Sequence, residues 1–155
     1  PVLPAIKVGA VCPVVVAAPS YWQAHDRPTH PKQLQDHSIV QPDAFTPTGR
    51  WAFKQADGAP LTVTVPTRLK VNSNDAVIEI IKSGHGVSRL LTYQVAGCIK
   101  DGSLEPVLND FAPASQPIHI MHREGRAASS KVRSLVDYLT NALRADMSLH
   151  QTMDS

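Results

Sequence analysis

The apolar and polar positions along the first third of the chain alternate between strand-like and helix-like patterns. A β-branched run at residues 14–17, bounded by prolines, predicts a short buried strand, and Pro19 is well placed to begin a helix. Residues 30–37 are polar with one apolar anchor and predict a single helical turn. A strand at 38–40 and a loop over 42–49 follow.

The middle of the chain carries the signals of a β-hairpin. Trp51 and Phe53 alternate with smaller or polar residues, and an Asp-Gly turn precedes a second alternating run at residues 61–65. Large aromatic side chains in a hairpin usually cover a sheet, so we expect both to belong to the core rather than to a ligand site. A further strand is predicted at 68–71.

Residues 72–110 are the most informative stretch, because helix, strand, helix and strand signals follow one another almost without a gap. Several polar residues offer N-caps before the first helix, and Gly84 is well placed as its C′ residue. Pro106 indicates either that the last strand lies at a sheet edge or that the strand is irregular at this residue. This order predicts a βαβ-type unit with a cleft.

The C-terminal third predicts a linker at 111–117, a strand at 118–121 and a long amphipathic helix that begins after Ser129 or Ser130. The tail, residues 146–155, has no periodic pattern and is expected to be frayed. Strands that alternate with helices make the chain α/β. The apolar face of the long helix comprises Val132, Leu135, Val136, Leu139, Ala142 and Leu143.

Composition and charge narrow the class of protein. The chain has 155 residues, 43% of them hydrophobic and 18% charged, which is typical of one soluble globular domain. No run approaches the ~20 apolar residues of a membrane span, and the N-terminus lacks the pattern of a signal peptide, so we expect a cytoplasmic protein with no membrane partner. The net charge of +2 is small, and the Lys and Arg residues are scattered along the sequence, so the chain is not expected to bind DNA directly. Because the first residue is Pro1, we expect the sequence to be part of something longer.

The sequence contains little that indicates a catalytic site or a metal site. Cys12 and Cys98 lie far apart in the sequence, and we expect both to be buried thiols in a reducing compartment rather than a disulfide. His119 and His122 would point to opposite faces of a strand, so metal chelation is not expected. We find no recognisable catalytic triad and expect no enzyme activity, no metal and no cofactor.

Several short stretches, in order and at consistent spacing, carry a family resemblance. They are AAPSYW, HPKQLQDHSIV, W-x-F at Trp51 and Phe53, RLKVNSNDAV, SGHGVSRL, DGSLEPVL and SSKVRSLVDYL. Together, from residue 3 to 143, they resemble the C-terminal effector-binding domain of LysR-type transcriptional regulators. One local departure is Thr92, which stands where the family often has a proline.

The resemblance implies a fold like that of type 2 periplasmic-binding proteins, with lobe two complete and lobe one partial. Residues 1–18 would be crossover strands from lobe one, 19–110 lobe two, 111–145 the returning strand and last helix of lobe one, and 146–155 the tail. With most of lobe one's sheet absent, the long helix would expose its apolar face to water. At about 25 cal/mol per Å² of apolar surface, this exposure would cost several kcal/mol of folding free energy. We therefore expect the chain to repack, to pair with a second copy or to be a fragment of a larger whole.

The function that the resemblance implies is effector sensing. A small molecule, for which an organic acid is the candidate, would bind between the lobes and shift the arrangement of a homo-oligomer. DNA would be contacted only through a winged helix-turn-helix that this sequence does not contain. The alternative is a truncated oligomerisation or interaction module that senses no ligand.

The candidate ligand-binding residues lie where predicted strands end. Asn72, Ser73 and Asn74 precede a helix whose free N–H groups and dipole suit a carboxylate, and the resemblance adds Val71. Simple N-capping is the alternative for these residues. A second group of residues also ends predicted strands, and we expect it to line the same cleft, with ordinary loop chemistry as the alternative. This group consists of Ala18, Ser20 and Gln41.

Overall fold

A computed structural model describes residues 5–43, 48–124 and 128–150 and has the alternation of strands and helices that the sequence predicts. The strands are β1 (Ala5–Val11), β2 (Pro13–Ala17), β3 (Ile39–Pro42), β4 (Arg50–Lys54), β5 (Pro60–Thr64), β6 (Thr67–Val71), β7 (Ser88–Leu91), β8 (Glu105–Val107) and β9 (Gln116–Met121). The α-helices are α1 (Pro19–Ala24), α2 (Asn74–Lys82), α3 (Thr92–Lys100) and α4 (Ser130–Ala145). Short 3-10 helices span Pro31–Asp36, Asn109–Phe111 and Met147–Leu149.

The main sheet is built around β2, which pairs antiparallel with β7 on one side and with β8 on the other. β3 lies parallel to β6 and joins β7 through a parallel bridge between Ile39 and Val87, so the strand order is β6-β3-β7-β2-β8. Strands β7 and β8 are therefore parallel to one another but separated by β2, and α3 connects them. The predicted βαβ-type unit is present in this split form. The predicted edge position of Pro106 is confirmed, since β8 is the last strand of this order.

The two faces of the main sheet have different coverings. Val14 and Val16 of β2 face a cluster formed with α2 and α3, which includes Val77, Ile81 and Val95. Alternate residues of β2 face the opposite cluster, which the hairpin β4-β5 and α1 cover. Because both faces are buried, β2 requires a continuous β-branched run rather than an apolar-polar alternation.

The aromatic residues of the hairpin belong to the second cluster, as predicted. Trp51 is 2% exposed and Phe53 is 5% exposed. They lie on the same face of β4, opposite Val63 and Leu61 of β5. Burial of these rings anchors the hairpin against the sheet.

A separate antiparallel ladder, β1-β9, lies beyond the main sheet and carries the C-terminal segment. The ladder has a bulge between Lys7 and Gly9. Arg144 at the end of α4 donates to the Lys7 carbonyl through Nε at 3.2 Å and Nη2 at 3.1 Å. Leu149 is buried against Gly9, where an added Cβ would lie 2.7 Å from the Leu149 carbonyl oxygen. The expectation of a frayed tail is therefore wrong for the part that folds back on the ladder, and residues 151–155 lie outside the described part of the chain.

The long helix α4 leaves much of its apolar face exposed. Val136 is buried, whereas Leu135 is 57% exposed and Tyr138 is 70% exposed. Leu139, which completes this stripe, is also exposed. The apolar face that the sequence predicts to lack a partner is thus uncovered only in part among the described residues, since Val136 is buried.

Two further expectations concern the cysteines and membranes. Both cysteines are free thiols, but only Cys12 is buried, whereas Cys98 is half-buried and packs at the rim of the cluster that contains Val95. Among the described residues, no helix has the length and apolar character that crossing a membrane requires.

Candidate functional site

The candidate site lies at one edge of the main sheet, where parallel strands end side by side. Pro42 at the end of β3 pairs with Val71 at the end of β6, and the Asp43 amide donates to the Val71 carbonyl at 2.8 Å. The carboxyl ends of parallel strands in an open α/β sheet are where ligands usually bind. The structure therefore brings Val71 and Asn72 next to the end of β3.

An open depression of about 220 Å³ lies at this edge and is lined by Pro42, Asp43, Asn72 and Asn74. Asn72 is exposed and Asn74 is half-buried, so both amide side chains are accessible from solvent. Asp43 is an exposed carboxylate in the same depression that the sequence interpretation missed. Ligands bind beyond the carboxyl ends of parallel strands, and this rule would have predicted Asp43 if it had been applied to the residue that follows Pro42.

Ser73 is the N-cap of α2, and its hydroxyl oxygen accepts from the Ala76 amide at 3.3 Å. The first-turn amides of Asn74 and Asp75 have no acceptor within the helix, as is general for helix N-termini. These amides and the positive end of the helix dipole can bind an anion. The Asp75 carboxylate in the first turn opposes that attraction. Capping and ligand binding are thus compatible roles for Ser73.

Gln41 is on β3 but its side chain is turned into the protein. The residue is 2% exposed, and its Nε2 donates to the Thr67 hydroxyl on β6. It lies one residue from the edge and is committed to a partner in the sheet. Gln41 therefore shapes the pairing of β3 with β6 rather than presenting a free group in the depression.

Ala18 and Ser20 are not brought to this edge. Because β2 runs antiparallel to β7, with Val16 opposite Ser88, its carboxyl end lies at the opposite edge from the ends of β3, β6 and β7. Ser20 instead packs against Gly84, past the C-terminal end of α2, and nine helical residues span about 13 Å. The expectation that Ala18 and Ser20 share a cleft wall with Asn72 assumed parallel strands, and the sheet has one antiparallel strand at its centre.

A second helix begins at the same edge. β7 is parallel to β3, and α3 starts at Thr92 directly after β7 ends. The first residue before β2, Cys12, also lies here, because its amide donates to the Thr92 hydroxyl at 3.3 Å. The edge therefore carries two helix N-termini and the segment that enters the main sheet from β1.

Another open depression, of about 540 Å³, lies beside α1 and the 3-10 helix that follows it. Its two histidines form hydrogen bonds within the protein. The Tyr21 hydroxyl is hydrogen-bonded to His37 Nδ1 at 2.9 Å, and His25 Nδ1 donates to the Tyr21 carbonyl at 3.1 Å. The Tyr21 and His25 rings are stacked with centroids 4.2 Å apart. This cluster joins α1 to β3 and has a structural explanation without a ligand.

The sequence of the chain is similar to those of known regulators. The family model of the LysR substrate binding domain matches residues 1–144 of the chain. The HTH-type transcriptional regulator PgrR of Escherichia coli strain K12 is 30% identical over 140 residues, which cover 87% of this chain and 46% of PgrR. The chain spans about half the length of the curated relatives that it matches.

Solved regulatory domains share the fold. The regulatory domain of AphB in Vibrio vulnificus superposes with a TM-score of 0.79 at 26% identity, covering 90% of this chain and 69% of that domain. The CrgA regulatory domain of Neisseria meningitidis has a TM-score of 0.74 at 22% identity, which shows the fold alone, and 69% of it is covered. About a third of each of these domains thus has no counterpart in the chain.

The relatives are transcriptional regulators and not enzymes, and the chain has the mixed α/β fold of LysR-type regulatory domains, which is like that of type 2 periplasmic-binding proteins. The chain belongs to the LysR substrate-binding domain family, the effector-binding regulatory domain of LysR-type transcriptional regulators.

Proposed function

We propose that the chain binds an organic-acid effector at the edge formed by the ends of β3 and β6 and the N-terminus of α2. The observation that carries the proposal is the open depression beside α2, which the first-turn amides of that helix adjoin. Val71, Asn72, Ser73 and Asn74 would contact the ligand. Gln41 would support the strand pairing beneath it, and Ala18 and Ser20 are not part of the proposed site.

The charges around the depression narrow the ligand chemistry. The helix N-terminus attracts an anionic group, whereas the exposed Asp43 carboxylate in the same depression attracts a hydrogen-bond donor and repels a second anion. An acid that carries a hydroxyl or amino group can satisfy both. The preferred effector is therefore a monocarboxylate with a donor group rather than a simple dicarboxylate.

In the complete regulator, this site would lie in the cleft between the two lobes. The effector would favour one arrangement of a homo-oligomer over another, and it would do so only as far as its affinities for the two arrangements differ. DNA would be contacted by a winged helix-turn-helix elsewhere in the regulator, in the cytoplasm. The match to regulators of about twice this chain's length supports this role.

Ser73→Asp separates the capping role of Ser73 from its ligand role. Aspartate is as good an N-cap as serine, so α2 stays stable, but its negative charge opposes an anion at the helix N-terminus. We expect lactate or serine to shift the amide NMR resonances of residues 71–75 in the wild type and much less in Ser73→Asp.

Ser129→Asp is the matched control, because Ser129 caps α4 by accepting from the Val132 amide at 3.4 Å and is not one of the residues that line the depression. It should bind the acids as the wild type does. Acids that shift only resonances elsewhere, or that bind Ser73→Asp unchanged, would show that this edge is not the effector site.

The exposed face of α4 supports a second candidate function, self-association without ligand sensing. Leu135, Tyr138 and Leu139 form an uncovered apolar stripe, and such stripes often mark interfaces. Sedimentation separates the two candidates. A constitutive dimer that responds to none of the acids would favour this second function, and a monomer that binds them would exclude it.

A further inference from the structure

A single residue, Cys12, separates the β1-β9 ladder of lobe one from the main sheet of lobe two. β1 ends at Val11, which pairs with Gln116, and β2 begins at Pro13, which pairs with Leu91. The return connection has more slack, since β8 ends at Val107 and β9 begins at Gln116. Rotation of one lobe against the other must therefore be absorbed largely by the backbone around Cys12, as hinges are usually a few residues at element ends.

Thr92 bonds both backbone polar groups of this joint. The Cys12 amide donates to the Thr92 hydroxyl oxygen at 3.3 Å, and the Thr92 amide donates to the Cys12 carbonyl at 3.0 Å. Both residues are buried, Cys12 at 3% and Thr92 at 1% exposure. Because the amide at the first position of a helix has no intrahelical acceptor, Thr92 can give it to Cys12 without loss to α3.

The Cys12 thiol adds a contact to the second connection between the lobes. Its Sγ lies 3.4 Å from the Pro113 carbonyl oxygen and 3.3 Å from the Pro13 carbonyl oxygen, and the thiol donates to these acceptors. Burial raises the pKa of the thiol, so it keeps its proton at neutral pH. Both connections between the lobes therefore meet at Cys12.

We propose that Thr92 is a positioning residue that sets the orientation of lobe one relative to lobe two by clamping the joint at Cys12. Each of the two bonds fixes one peptide group of the joint, so the pair restricts rotation on both sides of the Cys12 Cα. The inference concerns the geometry of the lobes and does not depend on the identity or existence of an effector. The clamp also gives a role to threonine at position 92, where the family often has a proline. Proline has neither the hydroxyl nor the amide donor and would form no hydrogen bond with Cys12.

A graded series of substitutions tests the clamp. Thr92→Ser keeps both bonds, Thr92→Ala loses the hydroxyl acceptor, and Thr92→Pro loses both while remaining suited to the first position of a helix. The readout is residual dipolar coupling of backbone N–H groups, which reports the orientation of the β1-β9 ladder relative to the main sheet. Amide hydrogen exchange at Cys12 is a second, local readout.

We expect one alignment tensor to fit both lobes in the wild type and in Thr92→Ser. In Thr92→Ala and Thr92→Pro, the couplings of the ladder and α4 should shrink relative to those of the main sheet, and the Cys12 amide should exchange roughly 2- to 10-fold faster. Unchanged couplings within the main sheet confirm that each variant has folded. The matched control is Thr140→Val, which removes a buried hydroxyl that donates to the Val136 carbonyl within α4 at 2.7 Å and should leave the tensor unchanged.

Two results would overturn the clamp. One is a wild type whose two lobes already require separate tensors, because the joint is then not restrained. The other is a Thr92→Pro variant with a single tensor of wild-type magnitude and unchanged exchange at Cys12. If Thr92→Pro expresses poorly, Thr92→Ala tests the clamp instead, because alanine adds no volume at this buried position.

Discussion

The guanidinium of Arg89 lies over the ring of Phe53, with its central carbon 5.2 Å from the ring centroid. The same group is 5.7 Å from the Trp51 ring and donates to the Ala52 carbonyl at 2.7 Å. Burial lowers the pKa of Arg89 to about 10, an effect that the neighbouring Cys12 partly opposes. One side chain of β7 thus contacts three successive residues of β4 and holds the hairpin against the main sheet.

Arg89→Ala should lower the free energy of unfolding by about 2 kcal/mol, because it removes a charged hydrogen bond and the contacts with two aromatic rings. Chemical denaturation measures the change. Arg68→Ala is the control, since Arg68 is exposed and bonds the Ser38 hydroxyl at 3.3 Å at the surface. That change should stay within about 0.5 kcal/mol. Equal effects of the two substitutions would show that the stacking of Arg89 contributes nothing to stability.

Gly86→Ala should destabilise the main sheet where β3 meets β7. A Cβ at Gly86 would lie 2.6 Å from the Ser38 carbonyl oxygen, which accepts from the Val87 amide at 2.8 Å in the bridge between these strands. Because the clash is with backbone, the strands must move apart, and overpacking of this kind costs about 1–3 kcal/mol.

Gly97→Ala is the matched control for that substitution. Gly97 lies within α3, and a Cβ there meets nothing within 4 Å. Alanine in a helix is favoured over glycine by about 0.5–1 kcal/mol, so this variant should be more stable than the wild type. Thermal melting of both variants measures the contrast, and a Gly86→Ala variant as stable as the wild type would contradict the close approach.

Stability should decrease with falling pH through the titration of His37. Burial lowers the pKa of His37 in the folded state, and the nearby His25 lowers it further. The unfolded state then binds more protons than the folded state below about pH 6.5, so stability is lost as the pH falls from neutral through that value. The charged or titratable groups that act on His37 are His25, Asp36 and Asp26.

His37→Asn removes the titrating group while keeping an acceptor for the Tyr21 hydroxyl. The dependence of unfolding free energy on pH between 5 and 7 should therefore be shallower in the variant than in the wild type. His85→Asn, the same substitution at an exposed position, is the control. A variant slope as steep as that of the wild type would assign the pH dependence to other residues.

Leu135→Lys should weaken self-association without unfolding the chain. Leu135 is 57% exposed, so the substitution should change stability by no more than about 0.5 kcal/mol, yet it places a charge within the uncovered apolar stripe of α4. An interface anchor lost in this way weakens association about fivefold or more. Sedimentation equilibrium gives the constant, and Asp137→Lys, an exposed change on the same helix, is the control. A wild type that stays monomeric would rule out this interface.

Most of the secondary structure could be predicted from the sequence, because its determinants are local. Pro19 at the first position of α1, the Asp-Gly turn of the hairpin and the Ser73 N-cap each act within a few residues. Gly84 has a φ of +83°, as its predicted position after the end of α2 requires. The family resemblance, carried by order and spacing, supplied the fold class.

The composition of the candidate site was less predictable, because it depends on strand direction and on tertiary contacts. Ala18 and Asn72 both follow strands, and only the antiparallel pairing of β2 with β7 places them at opposite edges. The buried side chain of Gln41 likewise follows from its partner Thr67, which is remote in sequence. Folding of the tail onto β1 depends on Leu149 meeting Gly9, and no local periodicity reports that contact.

The close approach of Gly9 to Leu149 limits which residues these two positions can hold together. A side chain at position 9 would meet both the backbone and the Cβ of Leu149, at 2.7 and 2.9 Å. Homologous sequences with a larger residue at position 9 should therefore lack a folded-back C-terminal turn, and those that keep the turn should keep glycine. Covariation between these two positions would mark which regulators cover β1 with the segment that follows α4.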